Sequence, residues 1–176
     1  MSALVISTNY GVEQDEITVP VKALRDAGID VTIAAVTSDP IRTLVGDEEP
    51  GETVTPDTTL AEVDPDGFDL LVVPGGTINA DQLRGESDAL NIARAFARDG
   101  KTIAAICHAP WLLVEADLTR GRTLTSWSSL ATDLRNSGAN WVDEELVTDG
   151  SDGWTLITSR SPEDLPAFTD AITSTD

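Results

Sequence analysis

Short runs of apolar residues recur along the chain, separated by segments in which apolar residues return every three or four positions. Uninterrupted apolar runs of about four to eight residues are typical of strands that are buried on both faces of a sheet. The predicted strands are Ala3–Ser7, Asp30–Val36, Phe68–Val73, Thr102–Ile106 and Arg122–Thr125, with Trp141–Val147 and Trp154–Ser159 paired around Asp149-Gly150.

The segments between these runs have the periodicity of amphipathic helices. Their apolar residues recur at helical spacing, and a glycine often follows the last one as a stop signal. The predicted helices are Glu16–Ala27, Ser87–Arg98, Trp111–Ala116, Ser129–Ser137 and Leu165–Thr173. Residues 37–67 are instead rich in Asp, Glu, Pro, Gly and Thr, which predicts irregular surface with one short strand near Glu52–Thr55.

The alternation of buried strands and amphipathic helices predicts an α/β fold, in which a doubly wound, mostly parallel sheet is sandwiched by helices. In such a sheet the ligand crevice lies beyond the carboxyl ends of the strands. Three loops are expected there, and they are Tyr10–Glu16, Pro74–Asp81 and Cys107–Pro110.

Length and hydropathy indicate one domain over residues 1–176. The chain has 176 residues, 40% of them hydrophobic, which suits a single folded core. It has no apolar run of about 18 residues, so we expect no membrane span. Its first residues carry no basic segment of the kind that opens a secretory signal, so we expect a cytoplasmic protein.

The charge is strongly acidic. There are 31 Asp and Glu against 11 Lys and Arg, a formal net charge of -20. Such a surface repels phosphate backbones, which disfavours nucleic acid as a partner. Self-repulsion of this size is best tolerated when salt screens it, which predicts a halophilic source. An ordinary acidic mesophilic protein is the alternative.

The chemistry of the chain centres on its only cysteine and only histidine, Cys107 and His108. One cysteine excludes internal disulfides and cysteine-rich zinc modules, and one histidine excludes a multi-histidine metal site. We expect no metal ion and no cofactor. Cys107 follows a buried strand and precedes a helix, an elbow that presents a nucleophile to the crevice. The helix N-terminus there predicts a lowered pKa for the thiol.

A simpler interpretation exists for each part of this site. Most lone cysteines are small buried hydrophobes, and neighbouring side chains diverge on regular structure, so Cys107 and His108 need not touch. The turn at Gly75-Gly76 is either an ordinary tight turn or a place where a backbone N–H approaches a ligand. In the second case the N–H groups of Gly76 and His108 form an oxyanion hole.

Two acidic residues belong to the loops that converge on the same crevice. Glu16 lies among acids that open a helix, where they favour the helix dipole without any catalytic role. Asp81 follows the glycine turn, where an ordinary surface or helix-capping role is the alternative.

Motifs spread over nearly the whole chain occur together in one known family. They are Glu13–Pro20, Leu24–Gly28, Val73–Gly76, Asn79–Arg84, Ala104–Pro110, Gly121-Arg122, Leu124–Trp127, Asp133–Asp143 and Thr158–Arg160. They resemble the ThiJ/PfpI superfamily, which is class I glutamine-amidotransferase-like. The Cys-His elbow and the Trp-Val-Asp segment are similar to the PfpI-like branch of intracellular cysteine peptidases and reported protein deglycases.

The resemblance implies a role for each candidate residue. It makes Cys107 the nucleophile, His108 the neighbouring base and Glu16 the buried acid that hydrogen-bonds the sulfur. It assigns the oxyanion hole to the N–H groups of Gly76 and His108. It also implies a homo-oligomer, a dimer or hexamer, in which Asp81 of an adjacent subunit completes the triad after a one-residue shift.

The expected function is that of a cysteine hydrolase that attacks a carbonyl group in a peptide or in a small carbonyl-modified or glycated substrate. Two departures, Ala109 for a common glycine and Ser128 for a common proline, reshape the pocket rim. A non-enzymatic stress or redox protein with an oxidisable cysteine is the alternative. A glutaminase is disfavoured because that class needs a histidine far along the chain.

Overall fold

A computed structural model describes residues 1–175. Its strands are β1 (Ser2–Ile6), β2 (Tyr10–Glu13), β3 (Asp30–Ala35), β4 (Ile41–Val45), β5 (Glu49–Val54), β6 (Thr58–Thr59), β7 (Leu70–Val73), β8 (Thr102–Ile106), β9 (Thr123–Leu124), β10 (Asn140–Trp141), β11 (Val147–Asp149) and β12 (Thr155–Ser159). Its helices are α1 (Gln14–Asp26), α2 (Thr77–Leu83), α3 (Ser87–Arg98), α4 (Pro110–Glu115), α5 (Ala131–Asn136) and α6 (Leu165–Thr173).

The central sheet has the strand order β11-β12-β8-β7-β1-β3-β6. Every pairing in it is parallel except that of the edge strand β11, which runs antiparallel to β12. The predicted α/β class, with a mostly parallel sheet between helices, is confirmed. Because β1, β7 and β8 are neighbours and run the same way, their carboxyl ends meet at one edge.

Each face of the sheet carries its own hydrophobic core. Alternate residues of the strands point to opposite faces, so that Leu4 joins one core and Val5 the other. On one face α3, α4 and α5 cover the sheet, with Phe96 at the centre, and on the other face α1 and α6 cover it, with Phe168. Within residues 1–175, no helix has both the length and the apolar character needed to cross a bilayer.

The segment 37–67 departs from the prediction of irregular surface. It contains the hairpin β4–β5, which pairs with β2 in a separate three-stranded sheet. The hairpin turn is closed by Glu48 N–H donating to the Val45 carbonyl at 3.3 Å. Its two central residues, Gly46 and Asp47, have φ of +64° and +59°, the conformation of a type I′ turn, which matches strand twist. The pattern hid this hairpin because β5 is mostly exposed and polar.

Other predicted boundaries also change. Trp141 pairs with β9 rather than with the last strand, and of the predicted Trp141–Val147 strand only Val147 pairs with β12, as the first residue of β11. The acidic residues 143–145 between them are exposed and leave the sheet. Helix α1 begins at Gln14, two residues before the predicted Glu16, because it follows directly on β2, and Pro20 lies inside it. Part of the predicted Pro74–Asp81 loop is helix α2.

Candidate functional site

The carboxyl ends of β7 and β8 and the start of α1 bring four of the predicted site residues together. Gly76 follows β7, Cys107 and His108 follow β8, and Glu16 enters from the first turn of α1. All three side chains are buried, with exposed fractions of 0% for Glu16 and 6% for both Cys107 and His108. The parallel sheet therefore assembles this cluster from three separate stretches of sequence.

Cys107 occupies a strained elbow. Its φ is +62°, a left-handed conformation that costs a residue with a side chain roughly 1–2 kcal/mol. Two backbone hydrogen bonds hold it there, from Cys107 N–H to the Ser159 carbonyl at 3.0 Å and from Trp127 N–H to the Cys107 carbonyl at 2.9 Å. This conformation brings Cys107 Sγ within 3.2 Å of His108 Nδ1, a contact that consecutive residues on regular structure do not make.

Glu16 keeps its proton at neutral pH. Burial raises the pKa of its carboxyl to about 8, against hydrogen bonds from Gly75 N–H and with Cys107 that favour the lower value. Oε2 accepts the Gly75 N–H at 2.8 Å, whereas Oε1 is buried without a hydrogen-bond partner among residues 1–175. The carboxyl interacts with the Cys107 side chain, and in its protonated form it can act as a hydrogen-bond donor there.

Burial also has the largest effect on the Cys107 thiol, whose pKa it raises, and a negative charge on Glu16 raises it further. The N–H groups of Gly76 and His108 oppose this by hydrogen-bonding the sulfur. The direction is opposite to the lowered pKa predicted from the elbow. Cys107 therefore rests as a thiol, and its activation requires a proton acceptor close by.

The glycine turn after β7 leaves room for these contacts. A Cβ on Gly75 would lie 2.6 Å from Glu16 Oε2 and 2.8 Å from Cys107 Cβ. Gly76 has φ of +82°, and a Cβ there would run into the backbone of Gly11 and Glu13. The turn thus places the Gly76 N–H beside the sulfur in a space that any side chain would fill.

His108 sits between two tryptophans. Its ring packs edge-on against Trp111, with centroids 5.4 Å apart, and stacks on Trp127 at 6.0 Å. Burial lowers its pKa, partly offset by the charge of Asp47. The imidazole is therefore neutral at neutral pH and able to accept a proton.

Three further polar residues, which the sequence did not indicate as a group, form a hydrogen-bond chain that ends at the histidine. His108 Nε2 lies 3.3 Å from Thr77 Oγ1. That hydroxyl donates to Asp47 Oδ2 at 2.8 Å, and Thr77 N–H donates to Asp47 Oδ1 at 2.9 Å. Glu13 in turn accepts the N–H groups of Gly46 and Asp47 at 3.0 and 3.1 Å. The sequence signal was the Gly-Asp pair of the hairpin turn.

Asn79, also missed, fixes the loop that carries Gly75 and Gly76. It is fully buried. Its Oδ1 accepts from Thr8 N–H at 2.8 Å, and its Nδ2 donates to the carbonyls of Gly75 and Pro74 at 2.9 and 3.2 Å. The side chain thereby ties the end of β7 to the end of β1.

Asp81 lies apart from this cluster. It is on the exposed side of α2, a helix whose N-cap is Gly76, so Asp81 does not cap it. Within the described residues the hydrogen-bond partners of the His108 ring are Cys107 and Thr77. The intersubunit role of Asp81 stays a prediction.

The fold and this geometry define a class: a doubly wound α/β protein with a thiol and an imidazole on a strand-to-helix elbow and a buried, protonated carboxyl beside them. The chain belongs to the DJ-1/PfpI family, which it matches over residues 1–175. It is 40% identical to Protein/nucleic acid deglycase 2 of Escherichia coli over 89% of this chain and 87% of that protein. It is 36% identical to General stress protein 18 of Bacillus subtilis over 94% of this chain and 92% of that one. The crystal structure of Drosophila melanogaster DJ-1beta superposes with a TM-score of 0.87 at 34% identity, covering 98% of this chain and 88% of that one.

Proposed function

We propose that this protein is a cysteine-dependent hydrolase that acts by attack of Cys107 on a carbonyl carbon. The observation that carries the proposal is the 3.2 Å contact between Cys107 Sγ and His108 Nδ1 on the strained elbow. A nucleophile within hydrogen-bond reach of a neutral base is the arrangement that nucleophilic catalysis requires.

In the first step the thiol proton passes to His108 Nδ1 as the sulfur attacks the substrate carbonyl. Protonated Glu16 donates to the sulfur and stabilises the thiolate character that develops before the bond forms. The carbonyl oxygen becomes an oxyanion, and we propose as its donors the N–H groups of Gly76 and His108, which in the resting site are directed at the sulfur.

In the second step the oxyanion collapses and the leaving amine takes the proton from His108. Water then attacks the thioester, with His108 again as the base, and the thiol returns. A carbonyl-modified amine is released at a different carbon: the sulfur displaces the amine at the carbinol carbon, where the S–C bond forms as the C–N bond breaks, and His108 returns the proton to the leaving amine. A proton shift from that carbon to the adjacent carbonyl carbon then gives a thioester, which water hydrolyses as above, so the same thiol and base would serve a peptidase or a deglycase. The similarity to a named deglycase favours glycated or carbonyl-modified amines as the substrate class.

The rim of the site suits a flat or apolar group beside the scissile carbonyl. Trp127, which stacks on His108, is 43% exposed, so an aromatic face borders the site. We propose that the protein belongs to the cytoplasm of a halophile and is a homo-oligomer in which Asp81 of a neighbouring subunit approaches His108. Because both ring nitrogens have partners within one subunit, Asp81 would act there through its charge.

The test is an activity panel on purified protein in high salt, with casein, small peptides, methylglyoxal and glycated amino acids as substrates. We expect turnover of glycated amino acids or methylglyoxal that Cys107→Ala abolishes. Turnover that survives in Cys107→Ala, or none on any substrate with an intact thiol, contradicts the proposal. Sedimentation of the same sample tests the oligomer, and an active monomer would rule out a role for Asp81 of another subunit.

The second candidate is a stress protein whose cysteine is oxidised rather than catalytic, and the similarity to General stress protein 18 favours it. A protonated Glu16 beside the sulfur would also hydrogen-bond a sulfinate formed there by peroxide. Inactivity on the panel together with stoichiometric conversion of Cys107 to sulfinic acid by dilute peroxide would support this candidate.

A further inference from the structure

The histidine of the site is held from behind by a hydrogen-bond chain within its own subunit. The chain runs from His108 Nε2 to Thr77 Oγ1, 3.3 Å apart, and from that hydroxyl to Asp47 Oδ2, 2.8 Å away. Thr77 is the first residue of α2, and Asp47 lies in the β4–β5 turn. Two elements that are distant in the sequence therefore meet behind the imidazole.

The direction of the hydrogen bonds follows from the chemistry of the groups. A carboxylate only accepts, so the single hydroxyl proton of Thr77 must point to Asp47. The hydroxyl oxygen is then an acceptor toward His108, and Nε2 must carry the ring proton. A neutral imidazole has one N–H, so Nδ1 keeps its lone pair and directs it at the Cys107 thiol.

We propose that Asp47 and Thr77 are positioning residues that fix His108 in the Nε2–H tautomer, the form that can take the proton of Cys107. This inference rests on the proposed function for its consequence in catalysis, although not for the tautomer itself. When the thiol proton moves to Nδ1, the imidazolium keeps its Nε2–H bond to Thr77. Asp47 then balances the new positive charge through the hydroxyl.

The surroundings of Asp47 indicate that its position is built rather than incidental. Its φ of +59° is uncommon for a residue with a side chain. Both of its carboxylate oxygens are engaged by Thr77, one by the N–H and one by the hydroxyl. The Glu13 carboxylate accepts the N–H groups of both Gly46 and Asp47, so a second side chain also fixes the turn.

Asp47→Asn reverses the polarity of the chain while keeping its shape. Asparagine tolerates the left-handed backbone. Its amide oxygen must face the Thr77 N–H, because an NH₂ group there would oppose another donor. The NH₂ group then donates to the Thr77 hydroxyl, whose proton turns to His108 Nε2. The ring proton is thereby driven to Nδ1, where it faces the sulfur and blocks proton transfer.

The experiment uses the single histidine of the chain, whose ring nitrogens give the only imidazole signals in a ¹⁵N-histidine-labelled sample. We expect the wild type to show a protonated Nε2 and a bare Nδ1, and Asp47→Asn to show the reverse. At neutral pH, alkylation of Cys107 by iodoacetamide should slow by at least about tenfold in Asp47→Asn. Asp88→Asn, on the exposed side of α3, makes the same charge change as a control and should match the wild type.

Several results would contradict the proposal that Asp47 and Thr77 fix the tautomer of His108. They are a protonated Nδ1 in the wild type, an unchanged tautomer in Asp47→Asn, or a tautomer that responds to Asp81→Asn instead. If Asp47→Asn does not fold, Thr77→Val removes the hydroxyl at constant shape and must lose the tautomer preference, and Thr77→Ser must restore it. The tautomer is measured without substrate. A protein that is inactive but shows the expected tautomer therefore contradicts the proposed function, and leaves the positioning role of Asp47 and Thr77 intact.

Discussion

At the scale of single residues, Glu16 shows how burial sets a protonation state. Its carboxyl is fully buried and receives one backbone N–H, from Gly75. One neutral donor does not replace the water that an ionised carboxylate loses on burial, so the protonated form is favoured. The same lack of compensation must appear in the stability of the whole protein, because protons and folding are linked.

We expect the free energy of unfolding to fall with rising pH because of Glu16. In the unfolded chain its carboxyl ionises at the ordinary pKa of 4.5, whereas in the folded protein it keeps its proton up to about 8. Between these values the folded state binds more protons, so stability is present at low pH and is lost as pH rises. The slope approaches about 1.4 kcal/mol per pH unit.

Glu16→Gln supplies the matched control, because glutamine has nearly the same shape and does not titrate. Urea denaturation of both proteins at intervals from pH 4 to 9 measures the difference. The wild type should lose stability relative to Glu16→Gln through that window, and two parallel curves would show that Glu16 ionises normally.

Gly76 contributes to the site through its backbone conformation, which leaves no room for a side chain. We expect Gly76→Ala to lower stability by more than the roughly 1–2 kcal/mol of a left-handed alanine, since its Cβ also meets the Gly11 and Glu13 backbone. Gly121→Ala is the control, because Gly121 has φ of +77° but open space around its Cβ. Thermal melts and Cys107-dependent turnover should show that only Gly76→Ala loses activity. Equal effects would mean that the contact is harmless.

At the scale of elements, Asn79 joins β1, β7 and α2. We expect Asn79→Ala to lower the free energy of unfolding by at least about 2–3 kcal/mol, because the buried Thr8 N–H and Gly75 carbonyl lose their hydrogen-bond partners. Gln82→Ala, exposed on the same helix, should stay within about 0.5 kcal/mol of the wild type. Chemical denaturation compares the two variants. Similar values for both would show that the loop holds its shape without the asparagine.

The sequence predicted the elements that are buried and missed those that are polar. The helix Ser87–Arg98 and the strand Thr102–Ile106 are confirmed residue for residue, because burial on the sheet imposes a clear apolar period. The β4–β5 hairpin carries Arg42, Glu49 and Glu52 toward solvent and gives no such period.

The same difference decides which site residues the sequence could indicate. Cys107 directly follows an apolar strand, and Glu16 opens an amphipathic helix, so both positions stand out in the sequence. The segments that carry them are expected to meet, because ligand sites in parallel sheets lie beyond the carboxyl ends of the strands. Asp47 lies in the missed hairpin, and its approach to Thr77 depends on a turn of two left-handed residues. No pattern of hydrophobicity encodes that tertiary contact.

At the scale of the whole molecule, the net charge of -20 on 176 residues dominates. We expect the melting temperature to fall substantially on transfer from molar salt to dilute buffer, because screening of the acidic surface is lost. Calorimetry across a sodium chloride series measures this, and a series in a neutral sugar separates screening from general osmotic stabilisation. A melting temperature indifferent to salt would contradict the halophilic assignment.

Cys107 and Asp47 lie in parts of the fold that are expected to differ in local stability. Cys107 follows β8, which is bonded on both sides by β7 and β12, whereas Asp47 caps a peripheral three-stranded sheet. In hydrogen exchange, the amides of β8 should therefore exchange only on global unfolding. The amides of the β4–β5 hairpin should exchange through local opening, with a free energy well below that of global unfolding. On gentle warming, the hairpin would open first, so His108 would lose the hydrogen-bond chain through Thr77 to Asp47 while the central sheet that carries Cys107 is still folded. Inactivation would then precede melting and would reverse on cooling, as a property of one small hairpin.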